Sequence, residues 1–169
     1  MPSKAATERA HRDAREGKSP STQAGEFVRE EIHHVREGKH GARSPKQAIA
    51  IGLSEARRAG VRVAPPKKGT ASPRTRRAAK LATKRAAKGT RKRPSTTRSR
   101  AITKALKREG SSATTTRSLS RHAKAAASRR TASQRSASAR KAARTKGPAE
   151  RSAAARKAAR TRARNRAHG

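Results

Sequence analysis

The sequence has no cysteine, tryptophan or tyrosine, a single phenylalanine, and only 10 acidic residues in 169. Without cysteine there is no disulfide framework and no thiolate metal site. With one aromatic residue, Phe27, base stacking has almost no side chain to use, which disfavours single-strand binders and sequence-specific RNA modules. Leucine, isoleucine, valine and phenylalanine together form roughly a twelfth of the chain, far below the level of about 20% at which globular packing becomes doubtful. Most of the 30% hydrophobic content is alanine, which favours helix at little side-chain entropy cost but buries little area. One small helical domain is the most that this composition supports. The first 26 residues hold no apolar run and no later stretch is long enough to span a bilayer, so neither a secretory signal nor a membrane segment is expected. The expected location is the cytoplasm.

What the chain does have is positive charge: 47 lysines and arginines give a formal net charge of +37. Such an excess resists compaction until it is neutralised, so polyanions are the expected partners. Eight of the 10 acids (Glu8, Asp13, Glu16, Glu26, Glu30, Glu31, Glu37, Glu55) precede residue 61, and only Glu109 and Glu150 follow. The chain therefore reads as a mixed-charge head at 1–63, a linker at 64–73 marked by Pro65-Pro66 and Gly69, and a cationic low-complexity stretch at 74–169.

In the head, Gly17, Gly38 and Gly60 each follow a helical stretch ending in basic residues, as C-terminal glycine caps do. Three helices are predicted, roughly Ser3 to Glu16, Pro20 to Glu37 and Pro45 to Ala59. The third is the best signed, with Ser44 as cap, Pro45 at the first helical position and Gln47 at the third. Val28, Ile32 and Val35 form one apolar stripe and Ile49 and Leu53 another; the two should pack together, with Phe27 completing the contact. Arg15-Glu16-Gly17-Lys18 recurs as Arg36-Glu37-Gly38-Lys39, which suggests a repeated helix-turn unit.

Beyond the linker the chain is built from Ala, Arg, Lys, Ser and Thr, and RSASARKAART at 135–145 recurs as RSAAARKAART at 151–161. Breaks are expected at Gly89, Pro94, Gly110 and Gly147, with Pro148 and Glu150 starting the last helix-compatible stretch. Only Leu81, Ile102, Leu106 and Leu119 offer large apolar anchors. If fully buried they supply about 10 kcal/mol, against about 1.5 kcal/mol of ordering cost per residue. The expectation is a mainly α protein: a small helical head and a long, largely disordered or fluctuating-helix tail.

The tail is the expected nucleic-acid-binding element. Its cations cluster as Arg74, Arg76, Arg77, Lys80, Lys84, Arg85 and Lys88, then Arg91, Lys92 and Arg93, then Arg98 and Arg100. Further along come Arg129 and Arg130, then Arg140, Lys141 and Arg144, and last Arg156, Lys157, Arg160, Arg162, Arg164 and Arg166. Arginine outnumbers lysine there about two to one, which favours bidentate phosphate contacts and narrow minor grooves. Duplex DNA is preferred over RNA on this reading.

In the head, Lys39, His40, Gly41, Arg43, Ser44 and Lys46 surround a helix N-terminus that favours an anion, and could hold one phosphate. The alternative, that Gly38 and Gly41 simply turn the chain, stays open. Ser72-Pro73-Arg74 reads equally as a histone-tail-like turn or as a cap. His33, His34 and His40 do not form an expected metal site, because adjacent helical residues diverge by about 100° and no suitably spaced carboxylate completes a set. No nucleophile elbow, Walker loop or carboxylate pair in a recognisable context appears, so neither enzyme activity, cofactor nor small-molecule substrate is expected.

The segment Gly38 to Gly60, GKHGARSPKQAIAIGLSEARRAG, resembles the signature of a family of small basic bacterial proteins of unknown function, some labelled DNA-binding or plasmid-stabilisation. The resemblance covers about the first 65 residues and implies no activity. The tail is similar in composition to bacterial histone H1-like tails, which implies a histone-like, nucleoid-associated role. The competing expectations are a structured-RNA or ribosome-associated protein, and an adaptor whose head binds a protein. Membrane binding ranks below these because the tail lacks a broad apolar face.

Overall fold

The structure, a computed structural model, describes residues 2–89 and 95–167. Its regular elements are all helical: α1 (Lys4–Arg15), α2 (Pro20–Arg36), α3 (Pro45–Arg58), α4 (Pro73–Ala87), α5 (Thr96–Lys107), a 3-10 turn (Ser112–Thr114), α6 (Thr116–Ser128) and α7 (Ala132–Ala167). They fall into two compact units, one ending at Arg121 and one starting at His122. None of the described helices is long and apolar enough to cross a membrane.

The first three helices lie where the punctuation places them. Ser3 Oγ accepts the Ala6 N–H, and Ser44 Oγ accepts that of Gln47. At the other ends Gly17, Gly38 and Gly60 have positive φ, a region that glycine enters at no steric cost. Around Gly38 the Gly38 N–H donates to the Val35 carbonyl and the Lys39 N–H to that of His34, the paired bonds of a Schellman cap. The same pair recurs around Gly17 and Gly60, so the repeated Arg-Glu-Gly-Lys segments are equivalent helix stops.

Packing follows a register different from the expected stripes. The buried face of α2 is Ala24, Phe27, Glu31 and Val35, with Val28 and Ile32 only half-buried at its flank. The buried face of α3 includes Ala48, Gly52 and Ala56, again flanked by half-buried Ile49 and Leu53. The reason is the close crossing at Gly52, where a Cβ would lie 2.7 Å from Val28 Cα and 2.9 Å from the Phe27 carbonyl oxygen. Small residues let the two backbones approach, and the larger side chains close over the sides of the contact. Phe27 sits in a cluster with Ala6 and Ala10 of α1, Ala24, Ala56 and Val61, against which Leu53, Ala59 and Val63 pack. Arg9 adds a polar clamp from α1 to α2, donating to Glu26 at 2.7 Å and Glu30 at 2.6 Å.

The linker is tethered. Arg57, buried at the end of α3, donates to the carbonyls of Val63 and Ala64, and Arg76 donates to that of Pro66. Burial lowers the Arg57 pKa from its ordinary value.

The expected long disordered tail is not what the structure shows. Among the described residues from Pro73 onward most are helical, and α4, α5, the 3-10 turn and the start of α6 belong to the same compact unit as α1–α3. The apolar ledger failed because docking uses different groups from those it counted. Leu81 and Ile102 are exposed, and Leu106 and Leu119 are half-buried. The anchors are instead Ala79, which is buried on α4 where that helix lies against α3, and Ala113, which joins Val35, Ala42 and Ala48 in a second cluster. Backbone pairing adds to this: the Gly41 and Ala42 N–H groups donate to the Leu106 and Gly110 carbonyls, at 2.9 and 3.0 Å. Arg36 Nε donates to the Thr114 carbonyl, and Arg43 pairs with Glu109.

Local signals account for the remaining helices. Ser72, Ser95 and Thr115 accept N–H groups three residues on, which decides Ser72 in favour of a cap. Thr131 and Gln134 exchange reciprocal side-chain to backbone bonds at the start of α7. Within α7 the helical path breaks at Gly147 (φ 66°, ψ 170°), followed by Pro148 as expected. The expected break at Pro94 lies outside the described residues.

Candidate nucleic-acid interface

The basic side chains beyond residue 73 are arranged by helical spacing. On α4 the face containing Arg76, Ala79, Ala82, Thr83 and Ala86 is buried or half-buried. Arg74, Arg77, Lys80 and Lys84 are exposed on the opposite side, joined by Arg85 and by Lys88 at the cap. On α5, Arg100, Lys104 and Lys107 repeat at i, i+4 and i+7 and are exposed, as is Arg98. Arg91, Lys92 and Arg93 lie outside the described residues.

Besides Lys104 and Lys107 of α5, two further groups of exposed cations were not singled out from the sequence. Arg117, Arg121 and Lys124 form an i, i+4, i+7 stripe on α6, and Arg135 and Arg151 extend the basic surface of α7. The spacing was available in the sequence; the density of neighbouring cations hid it. Arg129 and Arg130 are exposed just beyond α6, where the Arg130 carbonyl accepts from Arg135 Nη1 at 2.6 Å.

On α7, Arg140, Lys141, Arg144, Arg156, Lys157, Arg160, Arg162, Arg164 and Arg166 are all exposed, with Glu150 the helix's one acid. They are distributed around the whole circumference. Like charges at i, i+4, such as Arg140 with Arg144 and Arg156 with Arg160, cost a few tenths of a kcal/mol each until something neutralises them.

In the head loop three of the backbone donors nearest the α3 N-terminus are committed within the protein. The Gly41 and Ala42 amides go to α5 and the turn that follows it, and the Arg43 N–H goes to Gln47 Oε1 at 2.9 Å. Ser44 Oγ is occupied as the α3 cap. Lys39 is exposed and pairs with Glu37, Arg43 is exposed and pairs with Glu109, and Lys46 is exposed. His40 turns inward: its Nδ1 lies 3.1 Å from the Gly41 carbonyl and its Nε2 lies 3.6 Å from Glu31 Oε2.

Glu31 is the residue that sequence reasoning missed. It occupies the buried face of α2 between Phe27 and Val35, is 2% exposed, and its Oε1 has no hydrogen-bond partner among the described residues. Burial raises its pKa to about 7; His40 opposes the rise and the Glu55 charge adds to it. Glu55 is itself raised, mainly by burial, with Arg58, His34 and His40 pulling the other way. The signal was the spacing 27, 31, 35, which places an acid in the middle of an apolar face. A stripe drawn through Val28 and Ile32 leaves it outside.

Residues 15–68, which cover α2, α3 and the tethered segment after them, match a family of unknown function (DUF6496). The match carries no activity and supports neither the DNA-binding nor the plasmid-stabilisation label. No curated protein and no solved structure matches the chain.

Proposed function

We propose that this protein binds duplex DNA without sequence preference, in the manner of a histone-like, nucleoid-associated protein, by neutralising phosphates with its arginine- and lysine-rich helices. The observation that carries this reading is α7, two helical stretches that meet at Gly147, whose arginines are exposed and which present no apolar face. A helix that is polar all round does not recruit a partner through hydrophobic contact. Its complement is a polyanion, and duplex DNA offers one negative charge per about 1.7 Å of axis. Phe27, the only aromatic side chain, is fully buried, so no Phe, Tyr or Trp ring is on the surface to stack on an unpaired base. That favours the duplex backbone over single strands. The weight of arginine favours bidentate phosphate contacts.

The test is equilibrium binding of the full chain to matched duplex DNA, single-stranded DNA and duplex RNA across a salt series. Engagement of about 10 phosphates gives a log–log slope near −9 on duplex DNA, with little change between sequences. Tighter binding to duplex RNA than to duplex DNA at every salt concentration would move the reading to structured RNA. A flat salt dependence would reject it.

A further inference from the structure

The geometry points to a divalent transition-metal site in the head, formed by Glu31, His34 and His40, which takes Zn²⁺ with a carboxylate oxygen and two imidazole nitrogens. One ligand atom from each of the three lies within 4.8 Å of the others. The site is independent of the nucleic-acid reading, since none of its residues is an exposed cation of the helices described above.

The strongest observation is the carboxylate. Glu31 is 2% exposed, yet its Oε1 has no partner and its Oε2 has only the His40 ring at 3.6 Å. A carboxyl buried without a paired charge either takes up a proton or coordinates a metal, because desolvation of the bare charge is not repaid. No lysine or arginine reaches Glu31 among the described residues. Arg9 of α1 is taken by Glu26 and Glu30.

The two histidines are held ready. His34 stands one helical turn after Glu31 on α2, in the i, i+3 relation that brings side chains together. Its Nε2 is 3.4 Å from Glu30 Oε1. His40 arrives from the loop after α2, with its Nδ1 beside the Gly41 carbonyl. A histidine whose Nδ1–H is held by a carbonyl presents Nε2 as the lone pair, and such a support is what metal-binding histidines ordinarily have. The loop is fixed in turn by the bonds that the Gly41 and Ala42 amides donate to Leu106 and Gly110. His33 is excluded: it is exposed and pairs with Glu37.

The donor set fits zinc. Two neutral imidazoles and a carboxylate, with a fourth position for water, are a common Zn²⁺ arrangement, with bonds of about 2.0–2.2 Å. Tetrahedral bonds of that length hold ligand atoms roughly 3.4 Å apart. The Glu31–His40 separation of 3.6 Å is already close to this. All three ligand atoms lie within 4.8 Å of one another, so no pair needs to close by more than about 1.4 Å.

The test uses the full chain without a histidine tag, stripped with a chelator and titrated with Zn²⁺ by calorimetry and by thermal unfolding. Expected are one Zn²⁺ per chain and a rise in Tm. His40→Ala and Glu31→Gln should each weaken binding at least tenfold, while His33→Ala should not. Glu31→Gln keeps the side-chain shape and removes the buried charge, so it folds and separates loss of the ligand from loss of structure. Co²⁺ gives an independent readout, its visible absorption changing on binding to the stripped protein and not to Glu31→Gln. No binding to the stripped wild type, or equal binding by wild type, Glu31→Gln and His40→Ala, overturns the site. Either result leaves the DNA-binding reading untouched.

Discussion

Two residues of the head are set by their surroundings with little tolerance. At Gly52 the neighbours that a Cβ would meet are backbone atoms of Val28 and Phe27, which cannot rotate away. Gly52→Ala should therefore push α2 and α3 apart and destabilise the protein by roughly 1–3 kcal/mol, despite the better helix propensity of alanine. Urea unfolding followed by circular dichroism checks this, and an unchanged midpoint would contradict the close crossing. Glu31 governs pH dependence. Its folded carboxyl titrates at about 7 against an ordinary 4.5, so between those values the folded chain holds a proton that the unfolded chain releases. Stability is then fully present below about pH 4.5 and is lost as pH rises toward 7. In chelator, the wild type should be less stable at pH 8 than at pH 5, by up to about 3 kcal/mol. Glu31→Gln should flatten that profile and be the more stable protein at pH 8. The groups facing Glu31 are His40, His34 and Glu55, and the raised Glu55 leaves a smaller residual slope of the same sign.

At the level of elements, the attachment of α5 to the loop after α2 rests on two amides and a contact with no spare room. A Cβ on Gly41 would collide with the Glu109 carbonyl, and that backbone continues into Gly110, which accepts the Ala42 amide. In the wild type the Gly41 and Ala42 amides should exchange slowly with solvent, because both are donated and both residues are buried. Gly41→Ala should release α5 and the 3-10 turn together, so that exchange at Ala42 becomes fast while amides within α1 keep their protection. Hydrogen exchange read by NMR distinguishes this from global unfolding, in which α1 would lose protection as well. The Arg43–Glu109 pair joins the same two segments, but it is largely exposed and contributes little by itself.

For the molecule as a whole, charge and helix are distributed differently. The acids lie mostly in the first three helices, where they pair within the head: Glu26 and Glu30 with Arg9, Asp13 with Lys18, Glu37 with Lys39. The later helices carry cations with few acids to oppose them, and the second compact unit begins only at His122. If phosphate neutralisation is the mechanism, truncation after Arg121 should reduce the salt slope on duplex DNA by about one unit for each phosphate that the second unit engages. The truncated chain should keep the unfolding transition of residues 1–121, whose clusters and backbone pairings are internal to that unit. An unchanged slope would remove the second unit from the interface.

The sequence by itself determined the helical class, the ends of α1, α2 and α3, the stop at Gly147 and the separation of acids from bases. These are local properties: a serine or a glycine acts on groups three to five residues away, and charge is a sum. Tertiary structure alone decided which face of α2 is buried, because the closest crossing is set by Gly52 and its alanine neighbours rather than by the largest side chains. It also decided that the described residues after Pro73 are mostly helical and in part joined to the head. That joining is made by alanines, backbone amides and one glycine without room for a Cβ, none of which an apolar count registers. The meeting of Glu31, His34 and His40 belongs to the same class. His40 reaches Glu31 only because the loop that carries it is folded back and pinned, and a sequence records the residues of such a contact without the path that brings them together.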